Sequence, residues 1–79
     1  MKRLLAEIIG WYGVVAILLA YALVSFNVIA SNDIIYQLLN LTGALGIIVI
    51  SLIKKAYQPA TLNIIWAIIA LIALLTIVF

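Results

Sequence analysis

Residues 34–53 read IIYQLLNLTGALGIIVISLI, a run of mostly apolar side chains with no formal charge. A helix that crosses the roughly 30 Å hydrocarbon core of a bilayer needs about 20 such residues. Two further uncharged runs flank this stretch, residues 8–29 before it and residues 61–79 after it. The three runs predict an all-α integral membrane protein, with a single transmembrane three-helix domain over residues 1–79.

The composition of the whole chain supports a lipid environment. Of its 79 residues, 71% are hydrophobic and 8% are charged, whereas soluble domains are roughly 45–50% apolar and about 25% charged. A soluble fold of this length could not bury so much apolar surface. The chain contains no Cys and no His, which excludes disulfides and the common zinc and haem sites. We therefore expect no cofactor, no metal site and no nucleic-acid partner.

Two short polar segments separate the runs. Residues 30–33 (ASND) precede the second run, and Ser31, Asn32 or Asp33 can cap its free N–H groups. Residues 54–58 (KKAYQ) precede the third run, and Pro59 fits the first turn of the third helix because its missing N–H would be unpaired there anyway. Connections this short make consecutive helices antiparallel neighbours.

The charges predict the orientation of the chain. If the three runs cross the membrane one after another, all four basic residues lie on one side of the membrane, and the other side carries only Asp33. The basic residues are Lys2, Arg3, Lys54 and Lys55. The positive-inside rule then predicts a multi-pass protein of the inner (cytoplasmic) membrane, with its N-terminus inside and its C-terminus outside. On the same inner side, Glu7 is expected to pair with a neighbouring Lys or Arg, or to be hydrated.

Two alternative interpretations of the same charges remain open. The basic residues could bind anionic lipid, although such clusters usually contain about 4–8 basic residues. The first run could instead be a secretory signal, with residues 20–22 (AYA) as an A-x-A-like cleavage site. The run continues past that site to Ile29, which is longer than a signal requires, so we predict a membrane span.

Each predicted helix carries one face of small and polar residues. In lipid, helices associate through close packing of small residues and through polar side chains that bond across helices. We therefore expect a tight three-helix bundle with these faces inward or against a second copy. The expected packing residues are Gly10, Gly13, Ala16, Ala20, Gly43, Gly46, Ala67 and Ala70.

A set of polar and aromatic residues has two interpretations. They either bridge helices, at about 0.6 and at most about 2 kcal/mol each, or line a polar cavity for a small neutral solute. The candidates are Asn27, Tyr36, Asn40, Ser51, Asn63 and Trp66. Aromatic rings also lie among headgroups at membrane interfaces. We therefore expect Trp11, Tyr12, Tyr57 and Trp66 near the inner interface and Tyr36 near the outer one.

No catalytic residues can be assigned, and we do not expect an enzyme. The Ser and Thr residues have no candidate base nearby, since His is absent. No Asp or Glu lies in the middle of a predicted span, where a proton relay would need one.

Four segments carry a resemblance to a known family. They are residues 10–13 (GWYG), 20–23 (AYAL), 36–46 (YQLLNLTGALG) and 56–66 (AYQPATLNIIW). Together they resemble a widespread family of small, uncharacterised bacterial inner-membrane proteins, over nearly the whole chain. The resemblance implies a three-helix fold and a membrane location but no activity.

A weaker likeness is to the bacterial half-size sugar transporters called SemiSWEETs, three-helix proteins that dimerise to enclose a path. Asn63 is similar in position to their binding-site Asn. The first helix lacks their Pro-Gln hinge, since Pro59 is the chain's only proline, and Ile47 stands about where their pocket Trp is expected.

Two functions follow from these observations. The first is a structural or accessory membrane subunit that self-associates or binds a larger membrane protein through its small-residue faces. The second is the protomer of a minimal oligomeric transporter or channel for a small neutral solute. Three helices are too few to enclose a path, so the second function needs an oligomer, most simply a C₂ dimer. The expected partners are membrane lipids and either a second copy or a larger membrane protein.

Overall fold

A computed structural model describes residues 2–79. Over this range the chain forms three α-helices, α1 (Lys2–Ser25), α2 (Ile34–Ile53) and α3 (Tyr57–Val78), and no strands. All three are long and apolar enough to cross a membrane. The predicted all-α three-helix fold is confirmed.

The bounds of α2 agree with the prediction, and those of α1 and α3 differ from it. The first helix begins at Lys2 rather than Ile8 and ends at Ser25 rather than Ile29. The third begins at Tyr57 rather than Thr61. The prediction followed the uncharged runs, whereas a helix continues through charged residues wherever its backbone stays hydrogen-bonded.

The end of α1 is set by a capping turn. The N–H of Val28 donates to the carbonyl of Leu23 at 2.9 Å, and the N–H of Asn27 donates to the carbonyl of Val24 at 3.1 Å. These are the two bonds of a Schellman motif, and Asn27 has the left-handed conformation that the motif requires (φ 61°). Asn tolerates this conformation better than most residues, so α1 ends although the apolar run continues to Ile29.

The same kind of turn ends α2. The N–H of Ala56 donates to the carbonyl of Ser51 at 2.8 Å, and Lys55 is left-handed with φ 57°. At the other end, Asp33 is the N-cap, and its carboxylate accepts the N–H of Ile35 at 2.8 Å. Of the three capping candidates in the sequence, the structure selects Asp33. Pro59 lies in the first turn of α3, as predicted.

The middle helix organises the bundle. Both α1 and α3 pack on α2, but within residues 2–79 no Cα of α1 lies within 8 Å of a Cα of α3. The cross-section is therefore an open V with α2 at its vertex. We call the side of the V between α1 and α3 the concave face.

Burial in this fold is the reverse of burial in a soluble protein. The buried residues are Gly, Ala, Asn and Ser, and no large side chain among the described residues is fully buried. Leu, Ile and Val cover the outside; Leu18, for example, is 61% exposed. The longest dimension is 36 Å, enough for a hydrocarbon core of about 30 Å. The fold fits lipid as its solvent.

Candidate functional site

The contact between α1 and α2 is made by glycines that bring two backbones together. A Cβ added to Gly13 would overlap the carbonyl oxygen of Gly43, and one added to Gly46 would lie 2.6 Å from the carbonyl oxygen of Ile9. A Cβ on Gly10 would instead meet the side chain of Ile50, at 2.6 Å. Backbone cannot move aside as a side chain can, so this contact requires glycine at Gly13 and Gly46.

A hydrogen bond between hydroxyl groups joins the same two helices. The hydroxyl of Thr42 donates to the carbonyl of Leu38 at 2.7 Å. Its oxygen also lies 2.7 Å from the hydroxyl of Tyr12. Because the single Thr42 proton is already used, Tyr12 is the donor. Tyr12 lies ten residues into α1, about 15 Å along the axis from Lys2.

An ion pair closes one end of the α1–α2 contact. The ammonium of Lys54 lies 2.7 Å from a carboxylate oxygen of Glu7, which confirms the predicted pairing of Glu7 with a nearby cation. A recess of about 180 Å³ lies beside the pair, between the two helices. Its lining residues are Glu7, Gly10, Trp11, Val14, Ile47, Ile50 and Lys54.

The contact between α2 and α3 contains the buried polar residues. Asn40, Ser51 and Asn63 are all buried, and so are the alanines of α3 that face α2. These alanines are Ala60, Ala67 and Ala70. The Asn63 side chain donates from Nδ2 to the carbonyl of Pro59 at 2.9 Å, a bond within its own helix. Asn63 therefore does not use this donor to bridge two helices.

A second recess, of about 230 Å³, opens between α2 and α3. Its lining residues are Tyr36, Gln37, Asn40, Trp66, Ile69 and Ala70. Asn40 is 6% exposed, and among residues 2–79 its side chain has no hydrogen-bond partner. The side-chain amide of Gln37, which lines the same recess, donates to the carbonyl of Ser31 at 2.9 Å.

The structure gathers some of the candidate residues and separates others. Tyr36, Asn40 and Trp66 share the second recess, whereas Ser51 and Asn63 do not line it. Asn27 lies beyond the end of α1 and is exposed. The prediction that Asn27 lies within the first helix, over residues 8–29, is therefore wrong, because the capping turn ends that helix at Ser25. The Tyr12–Thr42 bond was missed, since helix register is not visible in a single sequence.

The two recesses open on the same side of the molecule. At about 100° per residue, Tyr36, Asn40, Ile47 and Lys54 lie within roughly 40° of one another on α2. The α2 residues that contact α1 lie on one side of this stripe; they are Gly43, Gly46 and Ile50. The α2 residues next to α3 lie on its other side; they are Gln37, Ala44 and Ser51. Since each recess is lined by residues of the intermediate stripe, both open onto the concave face.

The fold and this pattern of burial fit a membrane protein built from three helices that cross a bilayer. Within residues 2–79 there is no cluster of three His, Cys, Asp or Glu residues that could hold a metal ion. A family model matches residues 6–79, and the chain belongs to that family of small proteins, whose function is uncharacterised. Neither a curated protein nor a solved structure matches the chain.

Proposed function

We propose that the chain is a multi-pass protein of the inner (cytoplasmic) membrane with its N-terminus inside and its C-terminus outside. The Glu7–Lys54 ion pair holds the start of α1 level with the end of α2. All four cations of the sequence therefore lie at one end of the bundle, while Asp33 caps the opposite end. Lys and Arg are retained on the cytoplasmic side of a membrane.

Cysteine labelling tests this orientation, because the natural sequence contains no Cys. We expect Phe79→Cys to react with a membrane-impermeant maleimide added outside intact cells. Lys2→Cys serves as the matched control and should react only after the membrane is opened. Labelling of Lys2→Cys in intact cells, with Phe79→Cys protected, would reverse the proposed topology.

We further propose that the protein is a self-associating or accessory membrane subunit rather than an enzyme. The observation that carries this proposal is the fate of the buried polar residues. Asn63 donates within its own helix, Ser51 is buried at the helix contact, and neither shares a recess with Asn40. This arrangement is typical of helix packing, in which small and polar residues hold helices together in lipid. The partners are lipids and a second copy or a larger membrane protein.

A transporter protomer is the second candidate, and one observation favours it. The recess with Tyr36, Asn40 and Trp66 offers an amide without an internal partner beside an aromatic ring. Such a recess suits a small neutral solute when a second copy closes the other side.

Flux into proteoliposomes separates the two functions. For a subunit, no variant of the recess changes the flux of neutral solutes above that of protein-free vesicles. For a transporter, Asn40→Ala and Trp66→Ala abolish a measurable flux while Leu45→Ala, on the opposite side of α2, preserves it. The variant Asn63→Ala completes the comparison: if it lowers thermal stability and leaves every flux unchanged, Asn63 acts in packing only.

A further inference from the structure

We propose that the recess beside the Glu7–Lys54 ion pair binds one anionic phospholipid, whose phosphate lies on Arg3 and Lys54 and whose acyl chain enters the recess. We call this recess of about 180 Å³ the Lys54 recess. The inference names a class among the lipid partners of the proposed function. It rests on the proposed orientation only for the leaflet, which is the inner one.

The Lys54 recess has one charged end and one apolar end. On α2 its lining runs from Lys54 through Ile50 to Ile47. On α1 its lining runs from Glu7 to Val14. Each of these segments rises about 10 Å along its helix axis. Lys54 is the C-cap of a helix long enough to cross the membrane, so the apolar end lies inside the hydrocarbon core. A phospholipid has the same order of groups, a charged phosphate at the surface and an apolar chain below it.

The charges at the mouth of the recess favour an anion. The Lys54 ammonium lies 2.7 Å from the Glu7 carboxylate and has three N–H donors, so two remain for a ligand. Arg3 is exposed and lies four residues before Glu7, on the same face of α1. Its guanidinium can bind a phosphate through two parallel hydrogen bonds. Two cations and one carboxylate leave one net positive charge, which favours an anionic headgroup over a zwitterionic one.

Lys2 provides a contrast with Arg3. It is the adjacent residue, and its side chain lies about 100° around α1 from that of Arg3. Lys2 lines a separate recess, together with Leu4, Leu5 and Ile8. A general attraction of anionic lipid to a basic surface uses every Lys and Arg near that surface, whereas the Lys54 recess uses Arg3 and not Lys2.

Quenching of tryptophan fluorescence tests the occupant. Trp11 lines the recess and is 65% exposed, and Trp66→Phe leaves it as the only indole. This variant is placed in bilayers of phosphatidylglycerol and phosphatidylcholine, of which one at a time carries brominated acyl chains. We expect phosphatidylglycerol to bind about 5-fold more tightly, the effect of one net charge near a membrane surface. Equal quenching by the two lipids would overturn the proposal.

The matched probe is Trp11→Phe, which leaves only Trp66, in the wall of the recess between α2 and α3. Among the lining residues of that recess there is no charged side chain, so its quenching should show no preference between the lipids. A preference of the same size at Trp66 would mean that anionic lipid surrounds the whole protein, and would refute a site at Lys54.

Charge substitutions in the Trp66→Phe background identify the groups that bind. Arg3→Gln and Lys54→Gln each leave no net charge at the mouth of the recess, so each should remove the preference. Glu7→Gln leaves two positive charges and should raise it by about a further 5-fold. Lys2→Gln removes the same charge outside the recess and should leave the preference unchanged.

Two outcomes of these substitutions contradict the site. A loss from Lys2→Gln equal to that from Arg3→Gln would show attraction to the basic surface as a whole. A lower preference in Glu7→Gln would contradict the charge balance. Arg3 is exposed, so Arg3→Gln should preserve the helix content, which far-UV circular dichroism checks. A lost preference in that variant then reports lost lipid binding rather than unfolding.

The results separate this inference from the proposed function, because quenching in bilayers reports neither the orientation in cells nor self-association. If cysteine labelling reverses the topology while the lipid preference holds, the site binds its lipid in the other leaflet. If the labelling result holds while the preference is absent, the orientation stands and the lipid site is refuted.

Discussion

The two helix contacts of this protein are built differently. Between α1 and α2, glycines place one backbone against another, and a hydroxyl pair and an ion pair reinforce the contact. Between α2 and α3, alanines set the spacing, and the recess beside Asn40 stays open. Lipid offers no hydrophobic driving force for helix association, so packing and polar bonds decide the contact. The polar pairs of the first contact join two helices, whereas the Asn40 side chain beside the second has no hydrogen-bond partner among residues 2–79.

The largest effect is expected from Gly13→Ala. Its methyl group would overlap the Gly43 carbonyl, and overpacking of this kind costs about 1–3 kcal/mol. We expect a value near the upper limit, measured as the free energy of unfolding in mixed detergent micelles.

Two control variants sharpen this comparison. Gly10→Ala should cost less than Gly13→Ala because the new methyl group meets the Ile50 side chain rather than backbone. Ala70→Val, on the other contact, should also cost less because Ala70 borders the recess. If Ala70→Val is the more damaging variant, the α2–α3 contact is the tighter one and the comparison is reversed.

A smaller effect is expected from Tyr12→Phe. This variant removes the hydroxyl that donates to Thr42 and keeps the ring. The expected loss is about 0.6 kcal/mol, the typical value for a polar bond between helices in a membrane. A double-mutant cycle with Thr42→Val isolates the coupling between the two side chains. Additive losses in the cycle would show that the hydroxyl pair does not stabilise the α1–α2 contact.

The smallest effect is expected from Glu7→Gln. Both partners of the ion pair are partly exposed, and exposed pairs contribute about 0.2–1 kcal/mol. The loss should therefore shrink as salt concentration increases, which thermal unfolding at several ionic strengths will show. A loss larger than that of Gly13→Ala would mean that the ion pair, rather than the glycine contact, holds α1 on α2.

Part of the candidate site was accessible from the sequence. The small-residue faces placed Gly13, Gly43 and Ala70 at helix contacts because a helix repeats every 3.6 residues, whatever its neighbours. The same periodicity grouped Tyr36 with Asn40. It could not show that Trp66 joins them while Asn63 does not, since that depends on how far α3 is shifted along α2.

The sequence by itself determined the number of helices and the position of Pro59 in the first turn of α3, because each depends on neighbours along the chain or on the length that lipid requires. It left three candidates for the cap of α2 and several partners for Glu7, and the structure selected Asp33 and Lys54. Only the tertiary structure decided that α1 ends before Asn27, that Tyr12 bonds to Thr42, and that α1 and α3 stay apart. These features depend on the register and angle between helices, which are set by the packing of whole surfaces rather than by any local run of residues.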